Sequence, residues 1–302
     1  MKAAIIDLGT NTFHLIIADL KNLQNPILYK TQIPVKLGEG MVKDNKIIPS
    51  AYQRGMACLK DFKMVMEQWE IQSYIATGTA CLRTAINGNN FVQDVFQQYG
   101  IAIQIISGEE EAQLIYEGVK WSGVISERSL IMDIGGGSTE FMICDTTNLL
   151  WKKSYPIGAS RLMQLFFHSD PINEIDKNQL IDHLKTTLKD LFEELKKNPI
   201  TTLIGSAGAF ESFAAMTNTP IEKEYASINL HSFLSLAKRL EQSTHEDRAK
   251  IDNLIPLRVD MIVMASILTQ FIIGSLAIQQ LKISSFDLKM GLLQRKLMQF
   301  HT

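Results

Sequence analysis

Apolar residues run from Ala3 to Ile6 and again from Phe13 to Ala18, with the turn Gly9-Thr10-Asn11-Thr12 between them, which predicts a strand, a tight turn and a second strand. SLIMDIGGGSTEFMIC, residues 129–144, repeats that arrangement with Asp133 in the place of Asp7. A device that occurs twice predicts two related halves. Between the repeats, Met56, Leu59, Phe62, Val65 and Met66 recur at helical spacing within residues 52–69. Residues 71–76 read as a strand, 80–99 as helix interrupted at Asn87-Gly88-Asn89-Asn90, 101–106 as a strand, and 108–118 as a helix. In the second half, residues 171–197 are amphipathic, 202–204 form a short strand before IGSAGAFES, and the remainder reads as mostly helical. Strands alternating with helices predict an α/β body. The polar stretch VKWSGVISER, 119–128, marks the boundary, giving domains 1–124 and 125–302.

Charge narrows the partners. Thirty basic and 32 acidic side chains leave a formal charge of -2 over 302 residues, without the basic excess of a DNA or RNA binder, so an anionic partner needs a local pocket. Cys58, Cys81 and Cys144 are odd in number and widely spaced, which fits neither a disulfide framework nor a zinc site. They read as buried small residues in a reducing, cytoplasmic compartment. MKAAIIDLG is a first strand and not a signal peptide. Residues 261–281 carry no charge and are long enough to span a bilayer, but Gln270, Gln279, Gln280 and three hydroxyl residues interrupt them. A buried helix or helix pair is expected there, and no membrane partner.

DIGGGSTE is where the chemistry concentrates. A strand that ends in aspartate and turns through glycines gathers backbone N–H groups into one concavity that suits phosphate oxygens. Asp133 would repel phosphate, so it belongs beside a divalent cation, while Ser138 and Thr139 offer hydroxyl donors. A plain hairpin turn accounts for one or two glycines, but not for three echoed by a second turn in the other half. Neither turn matches GxxxxGK[ST] or GxGxxG. A third turn, Gly205-Ser206-Ala207-Gly208-Ala209, suits an anion or close packing equally. Glu109, Glu110 and Glu111 open a helix after Ser107, where capping and the helix dipole already favour acids. Three exceed that need, and one facing the cleft could deprotonate a water attacking phosphorus. Composition and capping do not decide among the three.

DLGTNTFHLII (7–17), LGEG (37–40), ATGTACLRTAINGNNF (76–91), ISGEEEAQLIYEGV (106–119), DIGGGSTEF (133–141), YPIGASRL (155–162) and IPLRVDMIVMASILT (255–269) together carry a resemblance. The chain resembles the exopolyphosphatase and guanosine-pentaphosphate phosphohydrolase family, whose fold is that of the sugar kinase, actin and Hsp70 ATPase superfamily. The resemblance implies two RNase H-like α/β domains flanking a cleft. It implies Glu110 as catalytic base, Asp133 and Glu140 as acids near Mg2+ and the transferred phosphate, Asp7 as a further metal neighbour, and Arg83 as a positive side chain for the polyanion. Gly9, Thr10, Asn11 and Thr12 would face Gly135, Gly136, Gly137, Ser138 and Thr139 as phosphate loops, with Gly205, Ser206 and Arg161 adding to the phosphate site. His14 is expected to be a hydrogen-bonded structural residue.

Three departures bear on this. Lys36 stands before LGEG where the family commonly has arginine, which loses the bidentate fork. Ala209 stands where the family usually has threonine, and the HD-like region of longer relatives does not follow residue 302. The implied activity is release of orthophosphate from the end of inorganic polyphosphate. Guanosine pentaphosphate hydrolysis, an ATP-dependent kinase of the same superfamily, and a non-catalytic polyphosphate or alarmone sensor are the alternatives. A homodimer is implied by the family alone.

Overall fold

A computed structural model of the chain describes residues 1–222 and 224–301. In the first half, β1 (Lys2–Leu8), β2 (Thr12–Asp19) and β3 (Ile27–Pro34) form an antiparallel meander. Helix α1 (Pro49–Gln68) leads to β4 (Ser73–Gly78), the short α2 (Ala80–Thr84) and α3 (Gly88–Tyr99) lead to β5 (Gln104–Ile105), and α4 (Gly108–Trp121) follows. β4 and β5 run parallel to β1, so the five strands lie in the order β3-β2-β1-β4-β5.

The second half reuses the plan. β6 (Ser129–Ile134), β7 (Thr139–Cys144) and β8 (Leu149–Tyr155) make the second meander, and α5 (Ala159–Phe166), α6 (Glu174–Thr187) and α7 (Lys189–Lys197) precede β9 (Thr202–Ser206). Then come α8 (Ala207–Met216), β10 (Tyr225–Ile228), α9 (Leu230–Gln242), α10 (His245–Ala249), α11 (Met261–Leu276), β11 (Gln280–Ser284) and α12 (Leu288–His301). The strand order is β10-β11-β9-β6-β7-β8. Without the antiparallel edge strand β10, this is the first sheet's order again, with β9 and β11 parallel to β6 as β4 and β5 are to β1. Two RNase H-like sheets are therefore present.

Each half has its own core, and a third one joins them. Ala3, Ile5 and Ile16 of the first sheet, Ile131 and Met142 of the second, Leu114 and Val119 of α4, and Leu292 and Leu293 of α12 form one buried cluster. α4 and α12 therefore lie between the sheets, and the last helix of the chain packs against the first half. Their backbones nearly touch: a Cβ on Gly118 would lie 2.2 Å from Asp287 O, and one on Gly291 2.0 Å from Leu114 O. Arg295 also grips Glu117 through two bonds of 2.6 and 2.8 Å.

Among the described residues, no helix is long and apolar enough to cross a membrane. The uncharged stretch expected to be buried is α11, with Val263, Met264 and Leu268 fully enclosed, ended by Ala277 in a left-handed conformation before β11 begins. All three cysteines are free and buried, and burial pushes each thiol up to about 12. The strand expected over 101–106 shrinks to β5, because at the sheet edge only Gln104 and Ile105 pair with β4.

Candidate active site

The two strand-turn-strand units meet face to face. Gly9 N donates to Thr12 O at 3.1 Å and Gly135 N to Ser138 O at 3.0 Å, so the same four-residue closure shapes both turns. Each turn is then held by the chain that returns to it. Val35, Lys36 and Gly38 amides bond the carbonyls of Asn11 and Thr10, while Gly158, Ala159 and Arg161 amides bond those of Gly137, Gly135 and Gly136. These carbonyls are consumed by neighbouring backbone, which leaves amides to face the cleft. The glycines permit the approach: a Cβ on Gly136 would be 2.4 Å from Asn11 Nδ2, and one on Gly137 2.8 Å from Thr10 Oγ1. The two turns do not point into separate solvent.

Two cavities open on either side of this meeting point, and both are lined by Thr10, Ala80, Gly136, Gly137 and Ser138. The first, of about 790 Å³, carries Asp7, His14, Glu111, Asp133, Asp287 and Lys289 on its wall. The second, of about 490 Å³, is lined by Arg83, Lys153 and Arg161, with Glu109 as its acid.

Strand register places the acids. Asp133 pairs with Glu140 on one side and Ser206 on the other, and Glu140 with Ser154. Ser154 Oγ donates to Glu140 Oε1 at 2.6 Å. Burial is the largest influence on these carboxyls and outweighs their hydrogen bonds, so Asp133 and Glu140 are each pushed up to about 7 and Asp7 to about 6. Asp287 adds to the rise at Asp133, and Asp133 to that at Glu140. Asp7 Oδ1 is buried without a hydrogen-bond partner.

Of the three acids opening α4, Glu111 is the one that turns into the first cavity. It is buried, and Arg83 Nη1 holds its Oε2 at 2.9 Å while also bonding Ile106 O at 2.9 Å. Burial, then the charge of Glu140, pushes Glu111 well above the ordinary carboxylate range against the pull of Arg83. Glu110 lines neither cavity, and its charge adds to the field that raises Arg295 on α12. Its backbone N–H is the one capped by Ser107 Oγ, at 3.1 Å. Successive helical residues point about 100° apart, so neighbouring acids cannot share one direction. Of the triplet, the acid on the first cavity's wall is therefore Glu111 and not Glu110.

Other expected residues divide in the same way. Arg83 and Arg161 stand on the wall of the second cavity. Thr139 is turned inward, its hydroxyl donating to Ile157 O at 2.9 Å. Lys36 sits exposed at φ 51 and lines neither cavity. Gly205 serves packing, since a Cβ there would lie 2.0 Å from Phe210 Cδ1. Ser206 acts on Asp133 and donates to Phe286 O at 3.3 Å, while the third turn reaches the first cavity through Ala207, Gly208 and Ala209. The His14 side chain is not the hydrogen-bonded structural group expected: its imidazole bonds no other described residue and lines the first cavity, where burial, Lys289 and Arg258 hold its pKa well below the ordinary value. Asp287 and Lys289 were not expected at all, although an aspartate and a lysine at the start of the last helix are visible in the sequence.

A divalent cation fits this wall. Among the described residues no group of three or more His, Cys, Asp or Glu side chains could hold a metal by itself. Mg2+ characteristically takes only one or two carboxylates and completes its shell with waters and phosphate oxygens. The unpartnered Asp7 oxygen and Asp133 on the first cavity's wall suit that chemistry, whereas Glu140, expected near the metal, lines neither cavity and accepts from Ser154.

Comparisons with known proteins agree with this geometry. The crystal structure of an exopolyphosphatase from Cytophaga hutchinsonii superimposes with a TM-score of 0.94 at 32% identity, covering 99% of this chain and 98% of that one. A Haemophilus influenzae relative, named as a candidate exopolyphosphatase, is 29% identical over 96% of this chain and 90% of its own length. The guanosine-5'-triphosphate,3'-diphosphate pyrophosphatase of Vibrio parahaemolyticus is 30% identical over 83% of this chain, a match that spans 50% of the Vibrio protein. Residues 16–300 match the Ppx/GppA phosphatase family, and the chain belongs to it.

Proposed function

We propose that the chain hydrolyses the terminal phosphoanhydride of inorganic polyphosphate, with Glu111 as the base that takes a proton from the attacking water. The observation that carries this reading is a buried carboxyl, tied to Arg83 and raised by its surroundings, beside two facing backbone nests. A base works best with a pKa near the working pH, and the burial of Glu111 moves it in that direction. The turn amides at 9–12 and 135–138 would hold the transferred phosphoryl group. Arg83 orients Glu111 while standing on the wall of the basic cavity, where with Lys153 and Arg161 it would take the following phosphates. Asp7 and Asp133, on the wall of the first cavity, would hold Mg2+, which when bound would supply positive charge to the phosphate oxygens.

Hydrolysis of guanosine pentaphosphate is the second reading. Beside the acids, the first cavity presents the apolar side chains Ile16, Leu257, Met261 and Ile262, a wall suited to a flat base. The relatives' names point to both substrates.

Orthophosphate release from polyphosphate and from guanosine pentaphosphate, with Mg2+, tests both readings. Glu111→Gln should lower turnover by roughly a hundred- to ten-thousand-fold while substrate still binds. Glu110→Gln should remain near wild type. The reverse pattern would return the role to Glu110, and no release from either substrate would end the proposal.

A further inference from the structure

Lys289 has no part in the reading above. It lies in the first turn of α12, and its side chain is only 20% exposed. Its ammonium pairs with Asp287, whose carboxylate also accepts the Lys289 backbone N–H at 3.0 Å. Both stand on the first cavity's wall with Asp7 and Asp133. The nearby acids hold its pKa above the ordinary lysine value despite burial.

The other cations of this cavity are committed or remote. Arg258 bonds Gly208 O, Ser212 Oγ at 2.8 Å and, at 3.6 Å, Glu211. Lys30 lies exposed on the edge strand β3. An anion entering a chamber walled by Asp7, Glu111, Asp133 and Asp287 meets strong repulsion. Lys289 is the half-buried cation there that, among the described residues, pairs with a single carboxylate, and its flexible stem is able to exchange that partner for another anion.

The backbone keeps the pair in place. Asp287 O accepts the Met290 and Gly291 amides at 3.1 Å each and lies against Gly118 of α4, the helix that carries Glu111. The position of the ammonium relative to Glu111 is thereby set by a helix crossing, and only the side chain has freedom.

We propose that Lys289 is a phosphate-binding residue: it rests on Asp287 in the free protein and turns to an oxygen of the bound phosphate chain when substrate enters. Asp287 is then a competitor for the same ammonium. This rests on the phosphohydrolase reading for the identity of the ligand, but its geometry concerns anion binding alone.

Calorimetric titration with inorganic tripolyphosphate, with and without Mg2+, tests it apart from turnover. Lys289→Met should weaken binding about tenfold or more, the worth of one charged hydrogen bond, and Lys289→Arg should restore most of it. Asp287→Asn should tighten binding, because the ammonium loses its resting partner. In the Asp287→Asn/Lys289→Met double variant that tightening should vanish. The double variant leaves no unpaired buried charge, so it also serves if Lys289→Met alone does not fold, as checked by thermal melting. Unchanged affinity in Lys289→Met, or an Asp287→Asn gain that persists without Lys289, would overturn the proposal. Wild-type protein that binds tripolyphosphate in this pattern yet releases no orthophosphate would overturn the hydrolase reading and leave this one standing.

Discussion

The two strand-turn-strand units share a backbone and differ in charge. Across the first sheet the register aligns Thr77, Asp7, His14 and Gln32, and across the second it aligns Ser206, Asp133, Glu140 and Ser154. His14 thus occupies the place of Glu140. Its imidazole is held neutral, whereas Glu140 adds a second carboxyl beside Asp133 and is in turn steadied by Ser154. Glu111 feels Glu140 more strongly than it feels Asp7. One glycine turn therefore stands beside a single acid, and the other, of the same closure, beside the acidic cluster that Glu111 joins. The turn occurs twice, and only one copy carries the fuller charge set.

The largest way to probe that difference is to remove the carboxylate from one row and the imidazole from the other. Glu140→Gln should cost roughly a hundredfold or more in turnover, while His14→Gln should change it by less than about threefold, under 1 kcal/mol. Parallel phosphate-release kinetics decide it, and equal losses would erase the functional distinction between the halves.

Making the rows alike is the next test. His14→Glu buries a further acid beside Asp7, and an unpaired buried charge costs about 3 kcal/mol or more. Urea unfolding should show that loss at pH 8 and much less at pH 5, where the new carboxyl takes up a proton.

The returning glycines differ more quietly. A Cβ on Gly158 would meet Gly136 backbone at 2.5 Å, whereas one on Gly38 would meet the Thr10 methyl at 2.4 Å. Backbone cannot rotate aside. Gly158→Ala should destabilise by about 1–3 kcal/mol, and Gly38→Ala by less, measured as a shift in midpoint at constant m-value.

A further difference shows in the pH dependence of the metal-free protein. Asp133, Glu140 and Asp7 bind protons more tightly folded than unfolded, since their folded values of about 7, 7 and 6 lie above the ordinary 3.8 or 4.5. Stability should therefore fall as pH rises from about 4 through 7. Thermal midpoints across that range should show a shallower fall in Glu140→Gln.

Much of this was legible along the chain. An acid at the end of an apolar strand, followed by glycines and another apolar strand, identified both central hairpins because period-two burial and turn chemistry are local properties. Four other strands were missed for a related reason. ILYKTQIP of β3 and LLWKKSY of β8 lie at sheet edges and leave much of their length solvated, while YASI of β10 and QLKIS of β11 are short and lie among helices. The family resemblance pointed to Glu110, whereas the member of the acidic triplet on the first cavity's wall is Glu111, since the phase of α4 against the cleft depends on its packing on α12.

Taken alone, the sequence determined the two-half plan, the glycine turns, the acids at their strand ends and the buried character of the cysteines. These follow from neighbours within a few residues. Only the tertiary structure decided that Glu111 and not Glu110 lines the first cavity, that His14 stands where the other half has Glu140, and that Asp287 and Lys289, at the start of the last helix, complete that cavity. Those outcomes depend on which faces of distant segments are pressed together, and contact between residues far apart in the chain is set by packing, not by local pattern.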